Sequence, residues 1–152
     1  NNVIMLSEAF TYHLSNLKSQ PQNYREAFIS RLYIGGLFTA NDYVQAQRVR
    51  SSIKREFDQV LQRVDLTGMP TSNNPAVTLE EFNSGSWLYG PSFTAPFNET
   101  GMPAISVPCG FNQIGFPIGL QLAGKPFDWL TVLRAAYTYQ QHANLYKKRP
   151  PI

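Results

Sequence analysis

Ser51-Ser52-Ile53-Lys54 sets a serine and a lysine three residues apart, a spacing at which a lysine can serve a serine nucleophile. On a helix the two side chains share one face. The Ser-Asp-Asn and Lys-Thr-Gly companions of that motif are absent, so a solvated helix face is the preferred reading. The basic run "RVRSSIKR", Arg48 to Arg55, is of a type that can meet phosphate, but Glu56 and Asp58 follow at once and again favour a solvated face. His13 and His142 are the only histidines, and no carboxylates cluster around either in sequence, so both read as helix-surface or packing residues. Cys109, the single cysteine, excludes an internal disulfide and a cysteine-ligated zinc site. Flanked by Pro108 and Gly110 after an apolar run, it reads as a buried structural thiol. No metal and no cofactor are implied.

Two further sets of residues have binding chemistry. Asn98-Glu99-Thr100 matches a glycan acceptor, but no secretory leader is in view, and a backbone role explains it better. Asn98 and Thr100 can bond nearby main chain and Gly101 can take a positive φ, giving a rigid loop. Thr94 and Phe97 on that loop would be held firmly enough to line a pocket. Arg31 lies in the apolar stretch "AFISRLYIGGLF", where an arginine either reaches water or a structural ion pair, or meets a carboxylate in a cleft.

These residues need elements to position them. Ile4, Leu6, Ala9, Phe10, Leu14 and Leu17 predict a helix over 4–18, with Ser7 as a cap and Pro21 beyond its end. A second helix is expected over 24–37, weakened at its end by Gly35-Gly36. The clearest is a third over 40–64, opened by a capping-box variant of Thr39 and Asp42. "DLTGMPT" reads as a strand ending in a turn, and 71–92 as a long loop rich in Ser, Asn, Gly and Pro. Strands are expected at 104–107 and 118–123, joined as a hairpin through "FNQIGF", with Pro103 and Pro108 bracketing the first. Asp128 should cap a last helix whose apolar stripe is Leu130, Leu133, Ala136 and Tyr137.

The predicted class is α/β, with helices packed on part of a larger mixed sheet, since three strands leave a sheet face short of neighbours. The chain is read as one segment: 1–64 helical, 65–124 strands and pocket loop, 125–146 C-terminal helix. Its 152 residues suffice for a real core. A net charge of +3 is too mild to point to nucleic acid. No apolar run reaches the length of a membrane span. The N-terminus opens close to a helical pattern, as if cut from a longer chain.

"FTAPFNETGMPAISVPCGFNQIGFPIGLQLAGKPFDWLTVLRAAYTYQQ" closely resembles the C-terminal part of the amidase signature family. The matching positions are Asn98, Gly101, Pro103, Ala104, Pro108, Cys109, Gly110, Gly115, Pro117, Gly119 and Gln121. "DYVQAQRVRSSIKREFDQVLQRVD" is similar to the family's long helix, and "DLTGMPTSNNPA" to its strand-to-loop segment. The resemblance implies the family's α/β/α fold. It also implies hydrolysis of a carboxylic amide, or transfer of the released ammonia, by a serine nucleophile with a second serine and a lysine. Those three residues belong to the family's upstream sequence, so no catalytic residue is assigned within this chain.

On the same resemblance, this portion contributes a pocket wall, with Thr94, Phe97 and Arg31 as substrate-binding candidates. An apolar Phe97 favours an apolar acyl group. In the family's transfer-RNA amidotransferases the glutamine-hydrolysing subunit uses an arginine similar to Arg31 and an aspartate to hold glutamine; the position matching that aspartate is Pro91. The first reading is therefore a hydrolase of a small or apolar amide. The alternatives are a glutamine-hydrolysing amidotransferase subunit of this kind and a non-catalytic binding or assembly module. Expected partners are a small-molecule amide and the N-terminal part of the enzyme, with no nucleic acid or membrane bound directly. An unpaired sheet edge favours self-association into a homo-oligomer. A cytoplasmic setting is expected, and the 152 residues alone should be inactive.

Overall fold

The computed structural model describes residues 1–80 and 92–148. The main chain groups into two compact units, residues 1–54 and 55–152, described in turn.

In the N-terminal unit helix α1 spans Asn2–Ser19, α2 Glu26–Gly35, and α3, Ala40–Leu61, begins here and ends in the second unit. Asn1 occupies the N-cap of α1; Ser7 lies inside the helix and its carbonyl accepts from the Thr11 hydroxyl at 2.8 Å. The expected Ser7 cap is therefore corrected, because the helix starts a turn and a half earlier. Ile4, Leu17 and Leu32 form the buried apolar residues of α1 and α2. The two helices approach closely through Gly35: a Cβ there would overlap the Leu6 carbonyl oxygen. Any side chain would force them apart, so this glycine is a packing requirement as well as the end of α2. The Thr39–Asp42 capping box forms as expected. The Thr39 amide and hydroxyl donate to Asp42 Oδ2 at 2.8 and 2.7 Å, and the Asp42 amide donates to Thr39 Oγ1 at 3.2 Å. The bonds that Asp42 accepts, first from the hydroxyl and then from the amide, hold its carboxyl below its ordinary value. Tyr43 donates to Glu8 at 2.8 Å, tying the start of α3 to α1.

The C-terminal unit is a sheet with helices on it. Strands β1 (Leu66–Pro70), β2 (Ala104–Phe111) and β3 (Pro117–Gly124) are ordered β1-β3-β2, with both pairings antiparallel. A short helix α4, Ala95–Thr100, precedes β2, and α5, Trp129–Ala143, follows β3. The α/β class stands. Alternation along β3 divides the packing. Ala123 clusters with Leu61, Phe97 and Met102, with Phe57 and Met69 against them, while Gly124 abuts Val132 of α5. Helices thus cover both faces of the sheet.

Three expectations are corrected here. β2 runs on through Pro108, with a register shift between Pro108 and Gly110. A proline is tolerated within this strand because β2 is an outer strand among the three described and the ladder is broken by a bulge there. The segment expected as a rigid loop at 98–101 is the last turn of α4, closed by Gly101 at φ 71°. Thr100 bonds the Pro96 carbonyl at 2.8 Å as foreseen. Of the expected stripe of α5 only Ala136 is buried, together with Val132, whereas Leu130, Leu133 and Tyr137 are exposed. The Asp128 cap is present, accepting from the Thr131 amide and hydroxyl at 3.3 and 2.8 Å. The hairpin loop is also as read, with Asn112 Oδ1 accepting from the amides of Ile114 and Phe116 at 3.1 and 2.7 Å.

Candidate functional site

The sheet face that carries Ala123 also carries a polar corner. Pairing sets Ser106 opposite Gln121 and Pro108 opposite Gly119, and the Thr71 amide donates to the Gly119 carbonyl at 2.9 Å. The hydroxyls of Thr71 and Ser106 meet across β3 at 2.5 Å. They meet because residue 119 has no side chain: a Cβ there would lie 2.6 Å from Thr71 Oγ1 and 2.7 Å from Ser106 Oγ. Next along β3, Gln121 is only 4% exposed, and its amide donates to the Phe93 carbonyl at 3.0 Å. That carbonyl leads into Thr94, the residue at the N-cap position of α4, whose side chain makes no capping bond. Ser92 bonds the Thr94 hydroxyl at 3.1 Å and accepts from the Ala95 amide at 3.2 Å.

The corner therefore gathers four hydroxyls and a carboxamide from two strands, the end of a third and a helix start. Hydroxyls of this kind donate and accept hydrogen bonds to a neutral or polar ligand. No side chain in this set can act as a base toward them, so the set orients rather than attacks.

The sequence-predicted site residues fall in different surroundings. Thr94 is exposed at the corner. Phe97, one turn on, is 5% exposed, and its ring packs on that of Phe57 with centroids 5.6 Å apart. Arg31 is exposed on α2, in the N-terminal unit. Pro91 lies outside the described residues. Thr71, Ser106 and Ser92 receive no role from the sequence, and Gln121 only a place in a motif. The Thr71–Ser106 meeting depends on strand register across 35 residues, which no local pattern encodes.

Other candidate groups are absorbed locally. Ser51 Oγ bonds the Gln47 carbonyl one turn back at 2.9 Å. His13 Nδ1 lies 3.0 Å from the Tyr24 hydroxyl, between aromatic rings, and His142 Nδ1 donates to the Thr138 carbonyl at 2.8 Å. Both histidines are packing or helix-surface groups, as read. Cys109 is half-buried rather than buried, at the bulge of β2. It lines an apolar cavity of about 310 Å³ with Gly68, Met69, Pro70, Ile118, Gly119 and Leu120. Among the described residues no three His, Cys, Asp or Glu side chains are grouped to hold a metal. No helix among them is long and apolar enough to cross a membrane.

Comparison with known proteins gives this arrangement a family. The family model described as Amidase matches residues 16–133. The A subunit of glutamyl-tRNA(Gln) amidotransferase from Methanosarcina mazei is 49% identical over 111 residues, 72% of this chain and 23% of that protein. The protein of the same name from Oceanobacillus iheyensis is 37% identical over 142 residues, covering 89% of this chain and 29% of its own. The crystal structure of the corresponding protein from Thermotoga maritima superimposes with a TM-score of 0.66 at 27% identity, covering 92% of this chain and 33% of that one. The chain thus spans well under half the length of these relatives. The match extends over helices, hairpin and polar corner alike, and the chain belongs to the amidase family.

Proposed function

We propose that the chain is the C-terminal part of a longer amidase-family enzyme, working as the glutamine-hydrolysing subunit of a transfer-RNA amidotransferase. The observation that carries this reading is the 49% identity to a protein named for that role. In this reading an upstream serine attacks the glutamine carboxamide carbon, ammonia departs, and water cleaves the acyl-enzyme to glutamate. A second serine and a lysine, also upstream, handle the proton. The corner of Thr94, Ser92, Thr71 and Ser106 forms part of the wall against which the amide substrate is oriented. Phe97 supports that wall from behind. Arg31, an exposed guanidinium of the N-terminal unit, keeps as a separate proposal the carboxylate-binding role that the family resemblance implies.

The sequence favours a hydrolase of apolar amides, partly because Phe97 is apolar. Its place in the core accounts for that character without reference to substrate. Pro91, at the position of the family's glutamine-holding aspartate, is the observation that keeps the apolar-amide hydrolase as the second reading.

The test is to incubate the full-length product of the reading frame, purified with any copurifying subunits, with glutamine and separately with aryl amides. Release of glutamate, with little aryl amide turnover, is expected. Aryl amide cleavage without glutamate would hand the case to the second reading. In the same assay the isolated 152 residues should release no product; measurable turnover by them would show that the nucleophile lies within this chain.

A further inference from the structure

We infer that Gln121 is a positioning residue for the amide-binding wall: its buried carboxamide fixes the Ser92–Thr94 turn, and through it the Thr94 hydroxyl, by holding the Phe93 carbonyl. This rests on the pocket role proposed for Thr94.

Placing a carboxamide in the middle of a sheet carries a cost. Gln121 is 4% exposed, on the same face of β3 as fully buried Ala123. Met69 pairs directly with Gln121 on one side and Ser106 on the other, and further along that face Leu61, Phe97 and Met102 cluster around Ala123. An apolar side chain of similar length would fill this position without any desolvation penalty. A buried amide in such a place needs a partner, and the partner here is a main-chain oxygen 28 residues away, 3.0 Å from Nε2. A main-chain acceptor is indifferent to its own side chain, so the bond specifies where the backbone at 93 stands.

The residues on either side of Phe93 give that placement its use. Thr94 stands at the N-cap position of α4, Ser92 Oγ meets Thr94 Oγ1 at 3.1 Å, and the same Ser92 oxygen accepts from the Ala95 amide. The Phe93 carbonyl lies between these two hydroxyl-bearing residues. Phe97, buried one turn later, pins the other end of the segment to the core. The turn is thus held at two points, an apolar one at Phe97 and a polar one at Gln121. Only the polar point is directional, since a hydrogen bond weakens steeply with misalignment. Thr94 stands beside that polar point.

The experiment is a double-mutant cycle in the full-length enzyme, assayed for glutamine hydrolysis. Gln121→Met, close in length and apolar, is expected to raise KM about tenfold while kcat stays within about twofold, the size of one hydrogen bond lost from a bound state. Thr94→Ala should raise KM on its own. Adding Gln121→Met to Thr94→Ala should then change KM by less than about twofold, because the two act through one hydroxyl. Gln121→Asn retains the amide on a shorter arm and is the milder variant if Gln121→Met does not fold; it should raise KM about threefold, and an unchanged KM in folded Gln121→Asn would overturn the inference. So would additive KM effects in the cycle, or a KM unmoved by Gln121→Met where Thr94→Ala raises it; the pocket reading of Thr94 survives both. If Thr94→Ala leaves KM unchanged, that reading fails first and the inference with it.

Discussion

The two units differ in what their longer-range polar pairs join: helix to helix in the first, as in Tyr43 to Glu8, and strands and a helix start in the second. In residues 1–54, Ser51 turns back on its own helix, His13 sits among aromatic rings, and Asp42 and Thr39 satisfy each other at a helix start. Each such group is occupied within a few turns of its own position or by one neighbouring helix. In residues 55–152 Asn112, Asp128 and His142 are also satisfied locally, but two polar pairs reach across the sheet: Thr71 to Ser106 over 35 residues, Gln121 to Phe93 over 28. Short-range pairing stabilises helices, whereas long-range pairing brings together side chains that could face a common ligand. A serine beside a lysine in sequence is thus weaker evidence of a site than hydroxyls assembled by strand register.

Gly35 puts that contrast under the greatest load. Gly35→Ala pushes a methyl into the Leu6 carbonyl and should destabilise the protein by about 3 kcal/mol in chemical denaturation, with no specific effect on substrate affinity. A near-neutral result would mean that α1 and α2 yield easily. Gly119→Ala is the counterpart in the sheet. Its new methyl meets two hydroxyl oxygens that can rotate away, so the stability loss should be about 1 kcal/mol. Substrate affinity should suffer more than stability, and unchanged KM would remove the Thr71–Ser106 pair from the site.

The smallest effect belongs to Asp42. Its carboxyl is held below its ordinary value in the folded state, so it adds stability above the usual carboxylate range and loses it as pH falls through the folded value. Comparing the protein with its Asp42→Asn variant at neutral and acid pH should show a stability gap that closes on acidification. A gap independent of pH would mean that the charge of the Asp42 carboxylate adds nothing to stability.

Much of the framework is legible in the sequence because its signals are local. The Thr39–Asp42 box, the Asp128 cap, the Asn112 loop and the break at Gly35-Gly36 are each written within a few residues, and each is found where the sequence puts it. The misses have longer-range causes. Leu130, Leu133 and Tyr137 fit helical spacing with Ala136 as well as Val132 does, and only the sheet decides which of them are buried. Pro108 reads as a strand end because the bulge that accommodates it depends on β3. Of the site, Thr94 can be named from motif spacing, but Ser106 and Thr71 cannot, since neither is polar enough or placed tellingly enough to stand out before the strands pair.

The bulge at Pro108 has a consequence for what can pair with the side of β2 that faces away from β3. A regular outer strand offers a foreign chain an unbroken row of donors and acceptors. In β2 one donor is missing at the proline and the spacing slips by a residue before Gly110. Any strand that paired with Ala104–Val107, from whatever source, would fall out of step beyond it, so regular pairing along this margin stops at the proline.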